Sequence, residues 1–340
     1  MLDFDDSRLQ DREALAAADA LLRPLAEAGA RIRREDVAAQ APLAALSGAD
    51  RPRALIVFGP EARLVRAVLE PVCPVPLVAW PRLGLPGWVG PLDIVVVLGG
   101  GDRTSLAAAH EAVRRGCQLL VVTPAESILA RESASSATTL LPTSTGDPLA
   151  AAVVALAGLH RLGLGPAVNP QAVASAMDRV AQDCSAQLDV TENPAKLVAL
   201  ELAEAQPLVW GGSILAARAS RRIAEALRAA SGRVVLAADA GALEPLLTTV
   251  TPRDPFADPF EEVAPVCRPG LGLIDDDLDD ELAAEERDRL TRLATAGDIK
   301  VSRLSHAEGG AVERYATVLQ KGLFAAAYLS IGLGTAQRLS

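Results

Sequence analysis

Asp93-Ile94-Val95-Val96-Val97-Leu98-Gly99-Gly100-Gly101-Asp102-Arg103-Thr104-Ser105 is the stretch that decides the fold. Ile94–Leu98 is an unbroken β-branched and aliphatic run, the composition of a strand buried on both faces. The glycines end it in a tight turn. A helix is expected from about Leu106 to Arg115, closed by Gly116, and Cys117–Thr123 reads as the next strand. Strand, Gly turn, helix and strand form the unit that holds anions at a helix N-terminus in open parallel sheets. Gly99, Gly100, Gly101, Arg103, Thr104 and Ser105 are therefore candidate anion-binding positions. Asp102 runs against that role, because it puts a carboxylate where a phosphate would sit. On the other reading, Asp102 or Thr104 simply caps the helix.

Working outward, residues 7–47 read as two Ala/Leu-rich helices forming an N-terminal arm. Ala54–Phe58 is a strand, Gly59 opens a turn, and a helix follows over Ala62–Leu69. Val75–Ala79 is a short strand. After Thr123 come a short helix and a Ser/Thr-rich stretch, Ser133–Thr145, which reads as exposed linker. Pro148–Arg161 is a long apolar helix, and Gln171–Ala181 is another. Glu192-Asn193-Pro194-Ala195-Lys196 starts a further helix. Pro207–Trp210 then reads as a strand, Gly211-Gly212-Ser213 as a turn, Ile214–Ala230 as a helix and Val234–Ala238 as a strand. Strand, Gly turn and helix thus occur twice, 154 residues apart, a weak internal repeat pointing to two similar α/β domains. Gly211, Gly212 and Ser213 make the better anion cradle, with a hydroxyl and no carboxylate within the turn. Thr249–Pro269 reads as loop, Leu271–Ile274 as strand, Leu282–Ala294 as helix, Lys300–Leu304 as strand and Gly310–Gly332 as the closing helix.

Composition limits the function classes. Half of the 340 residues are apolar, enough for large cores, and the formal net charge is −10, which disfavours a nucleic-acid or anionic-membrane surface. Five Phe, two Tyr and three Trp give no aromatic stacking platform. Cys73, Cys117, Cys184 and Cys267 are far apart, as expected of reduced thiols in a cytoplasmic protein. No basic, apolar leader follows Met1, and the apolar runs are shorter than the ~20 residues of a membrane span. The acidic run Asp275–Glu281 lacks the spacing of a calcium loop, so no metal is expected. No G-x-G-x-x-G follows a strand, which leaves little for a dinucleotide oxidoreductase, and no cofactor is expected.

The Glu192-Asn193-Pro194-Ala195-Lys196 opening, the two α/β halves, and the end Ala307-Glu308-Gly309 … Gly322-Leu323-Phe324-Ala325-Ala326-Ala327-Tyr328-Leu329 resemble the bifunctional phosphoglucose/phosphomannose isomerase family. That family is built from two SIS (sugar isomerase) domains, and the resemblance covers roughly residues 50–335. It implies an α/β fold of two tandem, flavodoxin-like, doubly wound parallel-sheet domains with an N-terminal helical arm. The expected divisions are an arm over 1–50, a first SIS domain over 51–165, a helical connection over 166–190 and a second SIS domain over 191–340. The resemblance also implies a phosphosugar ligand and a homodimer with sites near the subunit interface.

Such chemistry needs hydroxyls and amides for the phosphate, a carboxylate to move a proton between two carbons, and a general acid/base for ring opening. Where the family carries S-Y-S-G-N-T-x-E-T, this chain has Val97, Gly99 and Asp102 in place of the two serines and the first threonine. Gly100 keeps the glycine and Ser105 matches the last threonine. The family's earlier G-x-G-G-S turn reads Gly59-Pro60-Glu61-Ala62-Arg63, in which Pro60 lacks an amide donor and Glu61 adds negative charge. Arg228 falls at the position of the family's proton-moving Glu. The segment of its acid/base His, around Leu243-Glu244-Pro245-Leu246, holds no histidine; the chain has only His110, His160 and His306. The expected function is therefore a sugar-phosphate-binding protein whose catalytic residues have degenerated. The alternative is an active aldose–ketose phosphosugar isomerase using Glu244 or Glu308 as base, with His306 and Glu308 as an acid/base pair.

Overall fold

The computed structural model describes residues 3–46, 50–99, 101–250, 268–276 and 280–336. Gly100, Cys267, Asp277, Asp279 and most of the loop expected over Thr249–Pro269 lie outside the described residues. The chain divides into two compact units, Ala28–Ser175 and Met1–Glu27 with Ala176–Ser340. Where two helices are expected over 7–47, the described residues form three α-helices, and they divide between the units. Short α1 (Arg12–Ala17) and α2 (Asp19–Ala26) go with the later unit, and α3 (Ala28–Ala45) with the earlier one.

The Ala28–Ser175 unit continues with β1 (Leu55–Phe58), α4 (Ala62–Leu69), β2 (Leu77–Ala79), β3 (Ile94–Leu98) and α5 (Arg103–Arg114). It ends with β4 (Gln118–Pro124), α6 (Ile128–Glu132), β5 (Thr138–Thr143) and α7 (Pro148–Arg161). The strands pair in parallel in the order β2-β1-β3-β4-β5. β1 and β3 are buried at every residue, because helices cover both faces of the sheet. Ile56, Phe58, Val95, Val97, Leu119 and Val121 form one core cluster with Ala108, Ala109 and Ala112 of α5. The small alanines let that helix approach the sheet closely.

Ser133–Thr145 is not the linker expected: Thr138–Thr143 is the fifth strand, paired with β4. Its threonines are β-branched and suit a strand. Pro142 is tolerated because β5 lies at the edge, with no neighbour on its other side to lose a hydrogen bond to.

Helix α8 (Pro170–Asp183) leads to α9 (Pro194–Glu201), β6 (Gln206–Gly211), α10 (Ile214–Ser231) and β7 (Leu236–Ala237). Next come α11 (Ala240–Thr248), β8 (Pro269–Asp275), α12 (Glu281–Ala296), β9 (Val301–Ser305) and α13 (Ala311–Gly332). The second sheet is also parallel, in the order β7-β6-β8-β9. Both units are thus α/β with doubly wound parallel sheets, the architecture expected. In each, strand order reverses at one place, between β1 and β3 and between β6 and β8. Open α/β sheets bind ligands at the carboxyl ends of the strands flanking such a reversal. No helix among the described residues is long and apolar enough to cross a membrane.

The two sequence motifs that carry the family resemblance meet in this second unit. Asn193 caps α9, its Oδ1 accepting from the Ala195 and Lys196 amides at 3.0 and 3.1 Å, while its Nδ2 donates to the Ser185 carbonyl at 3.0 Å. Lys196, fully buried, donates to the carbonyls of Ala186 and Leu188 at 2.9 and 2.8 Å. Its ammonium lies 5.3 Å from the centre of the Tyr328 ring on α13. The Tyr328 hydroxyl donates to the Cys184 carbonyl at 2.6 Å. The motifs form a clamp that fastens the 184–188 turn and α9 to the closing helix.

Candidate functional site

At the β1/β3 reversal, the glycines serve close packing of one turn against another. Gly59 has φ +110° and a Cβ there would stand 2.1 Å from the Leu98 carbonyl oxygen, so no other residue fits. Gly99, also at positive φ, faces the Pro60 ring, and Gly101 faces Ile128. Glu61 is 2% exposed. Asp102 caps α5: its Oδ1 accepts from the Thr104 and Ser105 amides at 2.9 and 3.2 Å, and Ser105 Oγ donates to its Oδ2 at 2.6 Å. Burial pushes the Asp102 carboxyl up, but these three bonds outweigh it and hold the group below its ordinary value. Arg103 is exposed. Of the candidate donors, Thr104 and Ser105 are therefore already bonded to the chain's own carboxylate. An anion placed ~4 Å from it would be repelled by about 4 kcal/mol at an effective dielectric of ~20.

The same pattern recurs beside it. Glu35 of α3, fully buried, accepts from the Ser144 and Thr145 amides at 2.6 and 2.5 Å and from both hydroxyls. Asp147 caps α7 and pairs with Arg31 at 2.7 Å. Backbone donors at the ends of β3 and β5 are thus met by side-chain carboxylates.

The β6/β8 reversal differs. Ser213 caps α10, its Oγ accepting from the Ala216 amide at 2.9 Å and donating to Asp276 Oδ2 at 2.7 Å. Gly211 packs against the first turn of α10, where a Cβ would lie 2.3 Å from the Ala216 carbonyl carbon; Gly212 sits between Trp210 and Ala283. Asp276 is 2% exposed, and burial raises its pKa. Asp275 is held by Arg287 and Arg303 at 2.7 and 2.5 Å. Its carbonyl accepts the His306 amide at 3.1 Å, which brings the end of β9 alongside. Burial, and then the Lys321 charge, push the His306 pKa down, so the ring is a neutral donor and acceptor near pH 7. Lys321 Nζ donates to the Ser305 carbonyl at 3.1 Å. Arg314 lies within Coulombic reach of Asp276 and Arg179 within that of His306. Gly211, Gly212, Ser213 and His306 are therefore brought to one sheet edge, together with Asp276 of the acidic run and three cations that the sequence reading does not connect with the site: Arg179, Arg314 and Lys321. Asp276 stands near the start of that run, and single cations on α8 and α13 carry no local signal of the site.

The expected catalytic carboxylates fare differently. Glu308 is exposed, two residues from His306 and close enough to favour its charged form. Glu244 lies on α11 and pairs with Arg289 of α12 at 2.7 Å. Arg228, at the position of the family's proton-moving Glu, donates from Nη1 to the Val235 carbonyl at 2.9 Å. That bond ties α10 to the connection leading into β7. Among the described residues, no three His, Cys, Asp or Glu side chains converge as a metal site.

No protein-family model matches this sequence, and no curated protein sequence matches it. Solved structures do share the fold. One is the C-terminal domain of glucosamine-fructose-6-phosphate aminotransferase from Francisella tularensis, at 12% identity and a TM-score of 0.63, covering 92% of this chain and 96% of that one. Another is the tagatose-6-phosphate ketose/aldose isomerase from Escherichia coli, at 11% identity and a TM-score of 0.61, covering 95% and 94%. A third is a glucose-6-phosphate isomerase like protein from Thermus thermophilus, at 15% identity and a TM-score of 0.51, covering 88% and 91%. The fold shared with these structures extends over nearly the whole chain.

Proposed function

We propose that this protein binds a phosphosugar and does not isomerise it, and that it reads the ligand at the carboxyl edge of the β6–β9 sheet. Arg228 carries the proposal. Where the isomerase chemistry needs a carboxylate to shuttle a proton, this chain has a guanidinium bonded to a backbone carbonyl. A guanidinium carries only N–H donors and no acceptor, so it cannot take a proton as that base. The Glu244–Arg289 pair likewise engages one of the substitute bases. Supporting a phosphosugar ligand are Ser213 at a helix N-terminus, the cations Arg179 and Lys321 near His306, and Arg314 near Asp276. Names among the fold's solved relatives, such as tagatose-6-phosphate isomerase, point to the same ligand class. A homodimer is part of the proposal. Ile214 and Leu282, 55% and 65% exposed at the starts of α10 and α12, are apolar surface that a second copy would cover.

The test pairs binding with turnover. Glucose 6-phosphate, mannose 6-phosphate and fructose 6-phosphate are each titrated while unfolding is followed. A ligand at 100 times its Kd stabilises the folded state by about 2.7 kcal/mol. The expected result is saturable stabilisation by at least one of them, with no aldose–ketose conversion above the buffer rate. Conversion that Glu244→Gln abolishes would establish the active-isomerase alternative. Absence of stabilisation at millimolar concentration would reject the ligand class.

A further inference from the structure

The β6/β8 edge holds two adjacent carboxylates in unlike surroundings. Asp275 is matched by two guanidiniums, Arg287 from α12 and Arg303 from β9. Among the described residues, Asp276 meets one hydroxyl, that of Ser213 at the start of α10, and the more remote charge of Arg314 from α13. The charge of Asp275 also acts on it, and His306, whose amide bonds to the Asp275 carbonyl, follows on the β9 side. Asp276 is 2% exposed, so water gives its charge little help. It also holds the proton of the only hydroxyl in the Gly211–Ser213 turn.

We propose that Asp276 is a proton-operated gate on this turn, so that a phosphosugar's anionic group enters only as Asp276 takes up one proton from solvent. The inference rests on the ligand class proposed above and names the residue that sets its affinity. With Asp276 ionised, the Ser213 proton points to the carboxylate and a negative charge stands beside the incoming anion. Protonation removes the charge. The new Asp276 O–H donates to Ser213 Oγ, whose second lone pair still accepts the Ala216 amide. The Ser213 proton is then free to turn to the ligand. No bond other than O–H is made or broken. Burial, which raises the Asp276 pKa, brings this exchange toward physiological pH.

Calorimetric titration with fructose 6-phosphate between pH 5.5 and 8, in two buffers of different ionisation enthalpy, measures affinity and proton uptake together. Glucose 6-sulfate, whose charge is constant across that range, separates protein protonation from that of the phosphate. Wild-type affinity for both is expected to fall about tenfold per pH unit once Asp276 is ionised, with uptake approaching one proton. Asp276→Asn, checked for folding by circular dichroism, should bind at least tenfold tighter at pH 8 and lose the pH dependence for glucose 6-sulfate. Ser213→Ala should bind weakly at every pH. Wild-type binding without proton uptake, or an Asp276→Asn affinity equal to wild type at pH 8, overturns the gate and leaves the ligand class standing. Failure of both wild type and Asp276→Asn to bind at any pH overturns the ligand class and the gate with it.

Discussion

Replacing Lys196 by methionine tests whether the motif that most resembles a phosphosugar isomerase is structural here. The ammonium donates to two carbonyls and faces the Tyr328 ring. Bonds from a charged group contribute ~1.5–3 kcal/mol each, and a desolvated cation–π contact about 2. Methionine fills similar volume and removes the cost of burying the charge, a cost visible in the downward push of burial on the Lys196 pKa. The net loss should be about 3 kcal/mol, the low end of the range for taking one partner out of a buried charged network. For a unit of this size that lowers Tm by ~6–12 °C. The pH dependence has a definite sign. The folded-state pKa lies below the unfolded value of 10.5, so between the two the unfolded chain binds more protons. Wild-type stability should therefore rise with pH toward 10.5, and Lys196→Met should lack that rise. Urea unfolding read by Trp210 fluorescence, with Trp80 and Trp88 replaced by phenylalanine in both proteins, follows this unit alone. A loss under about 1 kcal/mol with parallel pH profiles would refute the clamp.

Asp102→Ala should cost about 1 kcal/mol at pH 7 through loss of the α5 cap. Because the folded-state pKa of Asp102 is held below 3.8, that contribution is complete above the unfolded value and is lost as pH falls through the folded one. The two proteins should thus converge in stability as pH falls below 3.8, and equal stability at pH 7 contradicts the cap. Light scattering at micromolar concentration should give twice the 35.3 kDa chain mass, and a monomer mass rejects the dimer.

The fold was legible because parallel strands buried on both faces are continuous apolar runs. Leu55–Phe58, Ile94–Leu98 and Leu119–Val122 cannot sit elsewhere, and each is followed by a turn and a helix. Thr138–Thr143 escaped notice because an edge strand is half solvated and tolerates Thr and Pro. α11 escaped because Pro245 lies inside it. The site was only partly legible. Gly211–Ser213 is marked by its spacing, but Asp276, Arg314 and Lys321 converge only through the order of the strands, which one sequence does not encode locally. The Glu35 contact, 109 residues from Ser144, is beyond any local pattern.

If the protein binds without catalysis, as proposed, the carboxylates explain how its fold keeps its stability with no ligand bound. A helix N-terminus presents amides that a bound phosphate would satisfy. Asp102 satisfies two of them in the free protein, at a gain of about 1 kcal/mol, and repels an incoming anion by more than that. Glu35 meets the donors after β5 in the same way. These donors are satisfied by the chain itself. Such an arrangement is fixed near pH 7 where helix amides hold the carboxylate, as at Asp102, because its pKa is driven down. It is reversible where the carboxylate is buried against a single hydroxyl, because burial drives the pKa up. Asp276 is of the second kind, so under the proposed gate a ligand has one edge of one sheet open to it, and pH decides when.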